Sequence, residues 1–157
     1  MRVAVSRELA APPSVVWQVL TDWERQAEWM VDARAVHVTG DRRQGTGVEL
    51  RVPTRIVGLT VQDTMRVTVW EPPRMLEVRH TGRLISGVGA FVLEPADGGT
   101  HLVWWEEVDP PLGALGDLGA SLVVRPYLVR LFGRSLDAFA RICQREAHRR
   151  DEVRRDG

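Results

Sequence analysis

The hydrophobic pattern of this chain changes its period near Pro111. From about residue 30 to 109, apolar residues alternate with polar ones, and turn signals interrupt the alternation about every ten residues. The turn signals are Gly40-Asp41, Gly45 to Gly47, Gly58, Pro72-Pro73, Gly82, Pro95 to Gly99 and Pro110-Pro111. Beyond them, one stripe with spacings of mostly three or four predicts a long amphipathic helix: Leu118, Leu122, Val129, Phe132, Leu136, Phe139 and Cys143.

The N-terminal segment adds a strand and two short helices. Residues 2–9 alternate as a strand does, and Ala11-Pro12-Pro13 ends it. Proline suits the first turn of a helix, so we expect one helix through Leu20 and a second helical piece from Asp22 to about Met30.

These elements predict an α+β fold. A long amphipathic helix needs an apolar partner, and the apolar face of the strands is the only large one in the chain. We therefore predict a curved, seven-stranded antiparallel sheet around the C-terminal helix, with a space between helix and sheet. Pro126 should kink or divide the helix. We expect one domain over residues 1–148 and a charged tail over 149–157.

Charge and residue usage exclude several kinds of chemistry. Lys+Arg and Asp+Glu are 21 each, so the net charge is zero, which argues against a nucleic-acid partner. The chain has no Lys, which excludes a phosphate-loop lysine and a lysine Schiff base.

Targeting and metal-binding signals are missing from the sequence. Cys143 is the only cysteine, and the four histidines have no metal-like spacing. No stretch has the length of a signal-peptide core or of a membrane span. We predict a cytoplasmic protein without a metal or cofactor.

Several motifs resemble the polyketide cyclase/dehydrase-like family of the START-like, helix-grip (SRPBCC) superfamily. They are Val16-Trp17, Leu20 to Arg25, Glu28 to Met30, Gly45 to Gly47, Glu71 to Leu76, Gly99 to Trp104 and the final helix through Leu136. The resemblance covers about residues 2–148. It implies a cavity between sheet and helix that holds a hydrophobic small molecule, and it carries no universal catalytic motif.

Three polar residues are in phase with an apolar strand face and are the candidate catalytic residues. Asp63 follows the phase of Leu59, Val61, Met65, Val67 and Val69; His80 follows Leu76 and Val78; Glu106 follows Leu102 and Trp104. Their convergence in the cavity is a hypothesis, with His80 as a general base or as a partner of a ligand carbonyl. The alternatives are a solvated or Arg-paired Asp63 at a strand end and a His80 beside the turn at Gly82. For Glu106 the alternative is the opposite strand phase, since the face of His101, Val103, Trp105 and Glu107 is almost as apolar; the family resemblance favours Glu106 as inward.

The predicted ligand-binding set combines these residues with apolar neighbours. It is Val61, Asp63, Met65, Val67, Val78, His80, Phe91, Trp104, Glu106, Tyr127 and Leu131. Gly87 and Gly89 predict bends or close approaches within a strand.

The tryptophans divide into two predicted groups. Trp17, Trp23 and Trp29 should anchor the packing of the short helices. Trp70 and Trp105 are expected on the convex face, where an exposed pair would indicate a partner or a homodimer.

Two function classes follow, and a third remains. The first is binding of a small hydrophobic molecule such as a lipid, polyketide or aromatic metabolite. The alternative is a polyketide cyclase/aromatase or dehydratase that uses acid and base groups of the cavity. The third is a structural or stress-related interaction module.

Overall fold

Seven strands, two short helical segments and one long helix make up the described part of the chain. The computed structural model describes residues 1–56, 59–82, 85–108 and 113–156, apart from the side chains of 56, 59 and 113–123. The strands are β1 (Arg2–Leu9), β2 (His37–Val38), β3 (Glu49–Ile56), β4 (Leu59–Glu71), β5 (Met75–Thr81), β6 (Ser86–Ala96) and β7 (Gly99–Val108). The helices are α1 (Pro13–Leu20), a 3₁₀ helix (Trp23–Glu28) and α2 (Gly113–Asp156).

All seven strands form one antiparallel sheet in the order β1-β7-β6-β5-β4-β3-β2. The strands from β2 to β7 form a meander, in which each strand pairs with the next along the chain. β1 pairs with β7, from Arg2 opposite Glu107 to Leu9 opposite Thr100. The predicted α+β architecture of a seven-stranded sheet with a long C-terminal helix is confirmed.

The helix α2 packs one face on the sheet, and its burial departs from the predicted stripe at one described residue. Phe132, Leu136, Phe139 and Cys143 are buried, as the stripe predicts, whereas Val129 is 36% exposed. Leu118 and Leu122 lie outside the described side chains. The helix continues through Pro126 without a division and ends at Asp156, within the residues of the predicted charged tail.

A bulge in β4 reverses the phase of its last residues. Val67 lies opposite Val78, but Val69 lies opposite Glu77, so Thr68 is an extra residue in the ladder. The predicted common face of Val67 and Val69 is therefore wrong.

Trp70 follows the reversed phase and points to the concave side. Its ring lies 5.1 Å from that of Trp17 and 5.9 Å from that of Trp23. The prediction of Trp70 on the convex face is therefore wrong, and it forms no pair there with Trp105. The ring of Trp105 is covered by the Arg2 guanidinium at 4.7 Å.

An aromatic cluster joins the sheet, the short helices and α2. Trp29 packs edge-on against Phe91 and Trp104 and lies 4.7 Å from Phe139. Trp104 stacks between Phe91 at 5.0 Å and Phe132 at 4.1 Å. Such ring pairs add about 0.5–1.5 kcal/mol each beyond their burial, so this cluster fixes the distance between α2 and the sheet.

Candidate functional site

A largely apolar cavity of about 230 Å³ lies between the concave face of the sheet and α2. Nine of the residues predicted for ligand binding line it: Asp63, Met65, Val78, His80, Phe91, Trp104, Glu106, Tyr127 and Leu131. Alternation along β4, β5 and β7 brings the first three polar residues and their strand neighbours to one face, because side chains two residues apart point the same way. Phe91 joins them from β6, and Tyr127 and Leu131 face them from α2.

Val61 and Val67 do not line the cavity. Val67 is 1% exposed and belongs to the packed core, where neighbouring side chains fill the space around it. Val61 is half-buried and lies opposite Thr54 in the ladder between β3 and β4. Tyr127 lines the cavity from α2 but is 42% exposed, so it forms part of the rim.

Asp63, His80 and Glu106 meet in one hydrogen-bonded cluster. His80 Nδ1 lies 2.9 Å from Asp63 Oδ2, and His80 Nε2 lies 3.2 Å from Glu106 Oε2. The three side chains are 6–10% exposed, so the cluster is largely out of water. The acid–imidazole–acid arrangement extends across four strands, from β4 to β7. It can form because β6, which lies between β5 and β7, has no side chain between His80 and Glu106.

Gly89 provides that opening. It lies opposite Glu106 in the ladder between β6 and β7, and a Cβ on Gly89 would collide with the Glu106 carboxylate. Glu106 therefore reaches across the bare backbone of β6 to His80. Gly87 also allows a close approach, since its φ is 140° and a Cβ would meet the Glu107 carbonyl oxygen.

The two carboxylates hold His80 as an imidazolium. Burial lowers the pKa of His80, but the hydrogen bonds to Asp63 and Glu106 and the charges of both outweigh it and raise the pKa from 6.5 to about 10. At neutral pH both ring nitrogens therefore donate, His80 Nδ1 to Asp63 and His80 Nε2 to Glu106. The ring keeps no lone pair with which to accept a proton.

The remaining oxygen of Glu106 is also engaged. Trp104 Nε1 donates to Glu106 Oε1 at 2.9 Å. A pairing of this kind satisfies the indole N–H of a buried tryptophan and fixes the rotamer of the carboxylate. Glu106 is thus held from two sides, by Trp104 and by His80.

Asp32 is a fourth ionisable residue of the cavity, which the sequence reading missed. It is half-buried after the 3₁₀ helix, and its carbonyl oxygen accepts from the Arg55 N–H at 2.8 Å. Burial raises the pKa of Asp32, backbone hydrogen bonds oppose this, and the charges of Glu106 and Asp63 raise the pKa further. The segment around Asp32 has no regular period, so no sequence signal placed its side chain.

The sequence analysis also missed other residues that line the cavity, although the hydrophobic pattern could have identified some of them. Leu50, Val52 and Thr54 alternate along β3, a strand whose phase was not used in the prediction. Phe132 was assigned only to the helical stripe. Trp23 and Gln26 come from the 3₁₀ helix, whose docking onto the sheet depends on tertiary contacts.

The described residues show neither a metal-binding cluster nor a membrane-spanning helix. Within those ranges, no group of three or more His, Cys, Asp or Glu side chains has an arrangement that would hold a metal ion. Among the described helices, none is long and apolar enough to cross a membrane.

The chain matches known proteins both in sequence and in fold. The model of the family described as "Polyketide cyclase / dehydrase and lipid transport" matches residues 1–144. An uncharacterized protein of Mycobacterium tuberculosis is 25% identical over 101 residues, which cover 64% of this chain and 71% of that protein.

Solved structures of low sequence identity share the fold. A protein of Thermus thermophilus has a TM-score of 0.77 and 17% identity, over 90% of this chain and 95% of its own. A START superfamily protein of Mycobacterium smegmatis has a TM-score of 0.66 and 15% identity, over 94% and 97%. The Zhui aromatase/cyclase of a Streptomyces species has a TM-score of 0.70 and 21% identity, over 96% and 94%. Because the family model spans nearly the whole chain, this protein belongs to the polyketide cyclase/dehydrase and lipid transport family, with a START-like fold.

Proposed function

We propose that this protein binds a small hydrophobic molecule in the cavity between the sheet and α2. The observation that carries the proposal is a cavity of about 230 Å³ with mostly apolar walls and a cluster of ionisable groups in its lining. Apolar walls supply the free energy of transfer from water, and a few fixed polar groups orient the ligand.

The size of the cavity limits the ligand. Pockets for drug-sized ligands enclose about 300–1,000 Å³, so a space of this volume suits a molecule of one or two rings, or a larger one that extends past the rim. Tyr127 and Val124 line the cavity from α2 and are 42% and 40% exposed, which marks the side on which a ligand meets solvent.

The cluster favours binding over the alternative of a cyclase or dehydratase. A general base needs a lone pair at the working pH, and an acid that polarises a carbonyl needs an unengaged proton. With its pKa raised to about 10 and both nitrogens bonded to carboxylates, His80 offers neither at neutral pH. His80, Asp63 and Glu106 therefore act as a fixed polar wall in this proposal.

The test is a substitution that places a larger side chain in the cavity, compared with the same substitution on the other face of the sheet. Val78 lines the cavity, whereas Val92 lies on β6 at a position that alternates to the other face of the sheet. We expect Val78→Phe to weaken binding of 2-naphthylmethanol, measured by titration calorimetry, by about tenfold or more, because the larger side chain occupies the ligand's space. Val92→Phe is the matched control and should bind like the unmodified protein. Equal affinity in all three proteins, or no binding by any of them, would refute the proposal.

A further inference from the structure

We propose that the ligand presents a protonated amine to the polar end of the cavity, where Asp32 receives it in front of Asp63 and Glu106. This inference rests on the proposed binding function and names the chemical class of the ligand. It follows from which hydrogen-bonding groups of the cavity wall are already engaged.

Most N–H and O–H donors of the described inner wall are bonded within the protein. Gln26 Nε2 donates to the Leu20 carbonyl oxygen at 2.7 Å, and the Thr54 hydroxyl donates to the Val52 carbonyl oxygen at 3.3 Å. The indoles of Trp23 and Trp104 donate to the Arg43 carbonyl oxygen and to Glu106, at 2.8 and 2.9 Å. Together with the two nitrogens of His80, these bonds leave the second N–H of the Gln26 amide as the one donor that the described side chains of the inner wall can offer a ligand.

The acceptors of the same wall are in excess. Each carboxylate oxygen has two lone pairs, and the bonds to His80 and Trp104 use only part of those on Asp63 and Glu106. Within the described chain, the Asp32 carboxylate forms no ion pair and accepts no hydrogen bond from a side chain. A wall of acceptors matches a ligand that brings its own donors.

The charges around the cavity point the same way. Among the described residues that line the cavity, three carboxylates face one imidazolium, and both N–H groups of that imidazolium are taken up by two of them. The other described cationic groups of the lining are the exposed Arg55 and the ammonium group of Met1, which donates to the Val108 carbonyl oxygen at 2.9 Å. An anionic ligand would place a further negative charge in a partly dehydrated space, whereas an ammonium group would balance Asp32.

Asp32 is the expected anchor. Asp63 and Glu106 are held by His80 and Trp104, but among the described residues Asp32 faces the cavity without a cationic partner of its own. The rings of Trp23 and Phe91, which line the cavity, also favour an organic cation over an anion, whereas both faces of Trp104 are covered by Phe91 and Phe132.

The experiment compares three probes with one ring system: 2-naphthylmethylamine, 2-naphthylmethanol and 2-naphthoic acid, titrated calorimetrically at pH 7. We expect the amine to bind about tenfold more tightly than the alcohol, because charge-assisted hydrogen bonds are roughly twice as strong as neutral ones. The acid should bind more weakly than the alcohol. The variant Asp32→Asn should remove most of the difference between amine and alcohol, while Asp151→Asn, an exposed position at the end of α2, should keep it.

The outcomes separate the two proposals. Equal binding of the three probes, or tighter binding of the acid, would overturn the amine inference and leave the cavity as a hydrophobic binding site. An amine preference that survives in Asp32→Asn would overturn the role of Asp32. No binding of any probe by the unmodified protein would instead refute the binding function. If Asp32→Asn does not fold, the order of the three probes on the unmodified protein still decides the inference.

Discussion

The buried cluster makes a specific prediction for how stability depends on pH. The pKa of His80 is about 10 in the folded chain, against an ordinary value of 6.5. The folded state therefore keeps a proton that the unfolded state loses, so folding stability is fully present below pH 6.5 and falls as the pH rises toward 10.

The magnitude follows from the two pKa values of His80. Between them, one bound proton separates the folded from the unfolded state, and stability falls by about 1.4 kcal/mol per pH unit. With 6.5 as the unfolded value, the contribution of His80 should decrease by about 2 kcal/mol between pH 7.0 and 8.5. The opposed carboxylates supply this free energy, since they stabilise the imidazolium only in the folded chain.

The assay is urea unfolding at pH 7.0, 7.5, 8.0 and 8.5 for the unmodified protein and for His80→Gln. The variant removes the titrating group, so the difference in unfolding free energy between the two proteins should change by about 2 kcal/mol over this range. Burial raises the pKa of Cys143 to about 12, so this thiol also makes folding stability fall once the unfolded thiol ionises near pH 9. Because both proteins contain Cys143, its contribution cancels in the difference between their unfolding free energies.

Two results would refute the reasoning about His80. One is a pH dependence that is the same in His80→Gln and in the unmodified protein. The other is a neutral imidazole at pH 7 in the nitrogen NMR spectrum of the unmodified protein, where we expect both ring nitrogens to be protonated. The NMR measurement also decides the question if His80→Gln, with two carboxylates left without a cation, does not fold.

Three further predictions concern the packing around the site. Gly89→Ala should displace the Glu106 carboxylate from His80 and Trp104 and cost about 1–3 kcal/mol in urea unfolding, and an unchanged Trp104 indole NMR signal would contradict this. Leu136→Ala removes a side chain that is 0% exposed and should lower the free energy of unfolding by about 2–5 kcal/mol. Val153→Ala, at a side chain that is 66% exposed, should change the free energy of unfolding by no more than about 0.5 kcal/mol. Similar changes in both variants would mean that α2 does not pack as described. The Cys143 thiol, buried and with its pKa raised to about 12, should resist iodoacetamide at pH 8 until urea unfolds the chain, and rapid alkylation of the folded protein would show that this face of α2 opens.

Much of the fold and part of the site followed from local patterns. The alternation along β5 placed His80 on the concave face, because period-two patterning survives in a half-buried strand. The turn signals marked the strand ends, and the helical stripe identified the buried face of α2 around Phe139. Each of these inferences depends only on neighbours in the sequence.

The missing parts depend on contacts between distant residues. The bulge at Thr68 results from a register shift of β4 against β5, and no residue type within β4 predicts this shift. Asp32 reaches the cavity because its segment bonds to β3 through Arg55 and Ala33 bridges to Thr54. The pairing of both His80 nitrogens needed the strand order, which brings β4, β5 and β7 within reach of one ring.

The binding claim is tested most directly by the indole N–H signals in a nitrogen–proton NMR spectrum during titration with 2-naphthylmethanol. Trp23 and Trp104 line the cavity, whereas Trp105 lies on the convex face beneath Arg2 and serves as the internal control. We predict that the signals of Trp23 and Trp104 shift and saturate together while the Trp105 signal stays in place. Unmoved signals at saturating probe, or an equal shift of Trp105, would contradict a ligand site in this cavity.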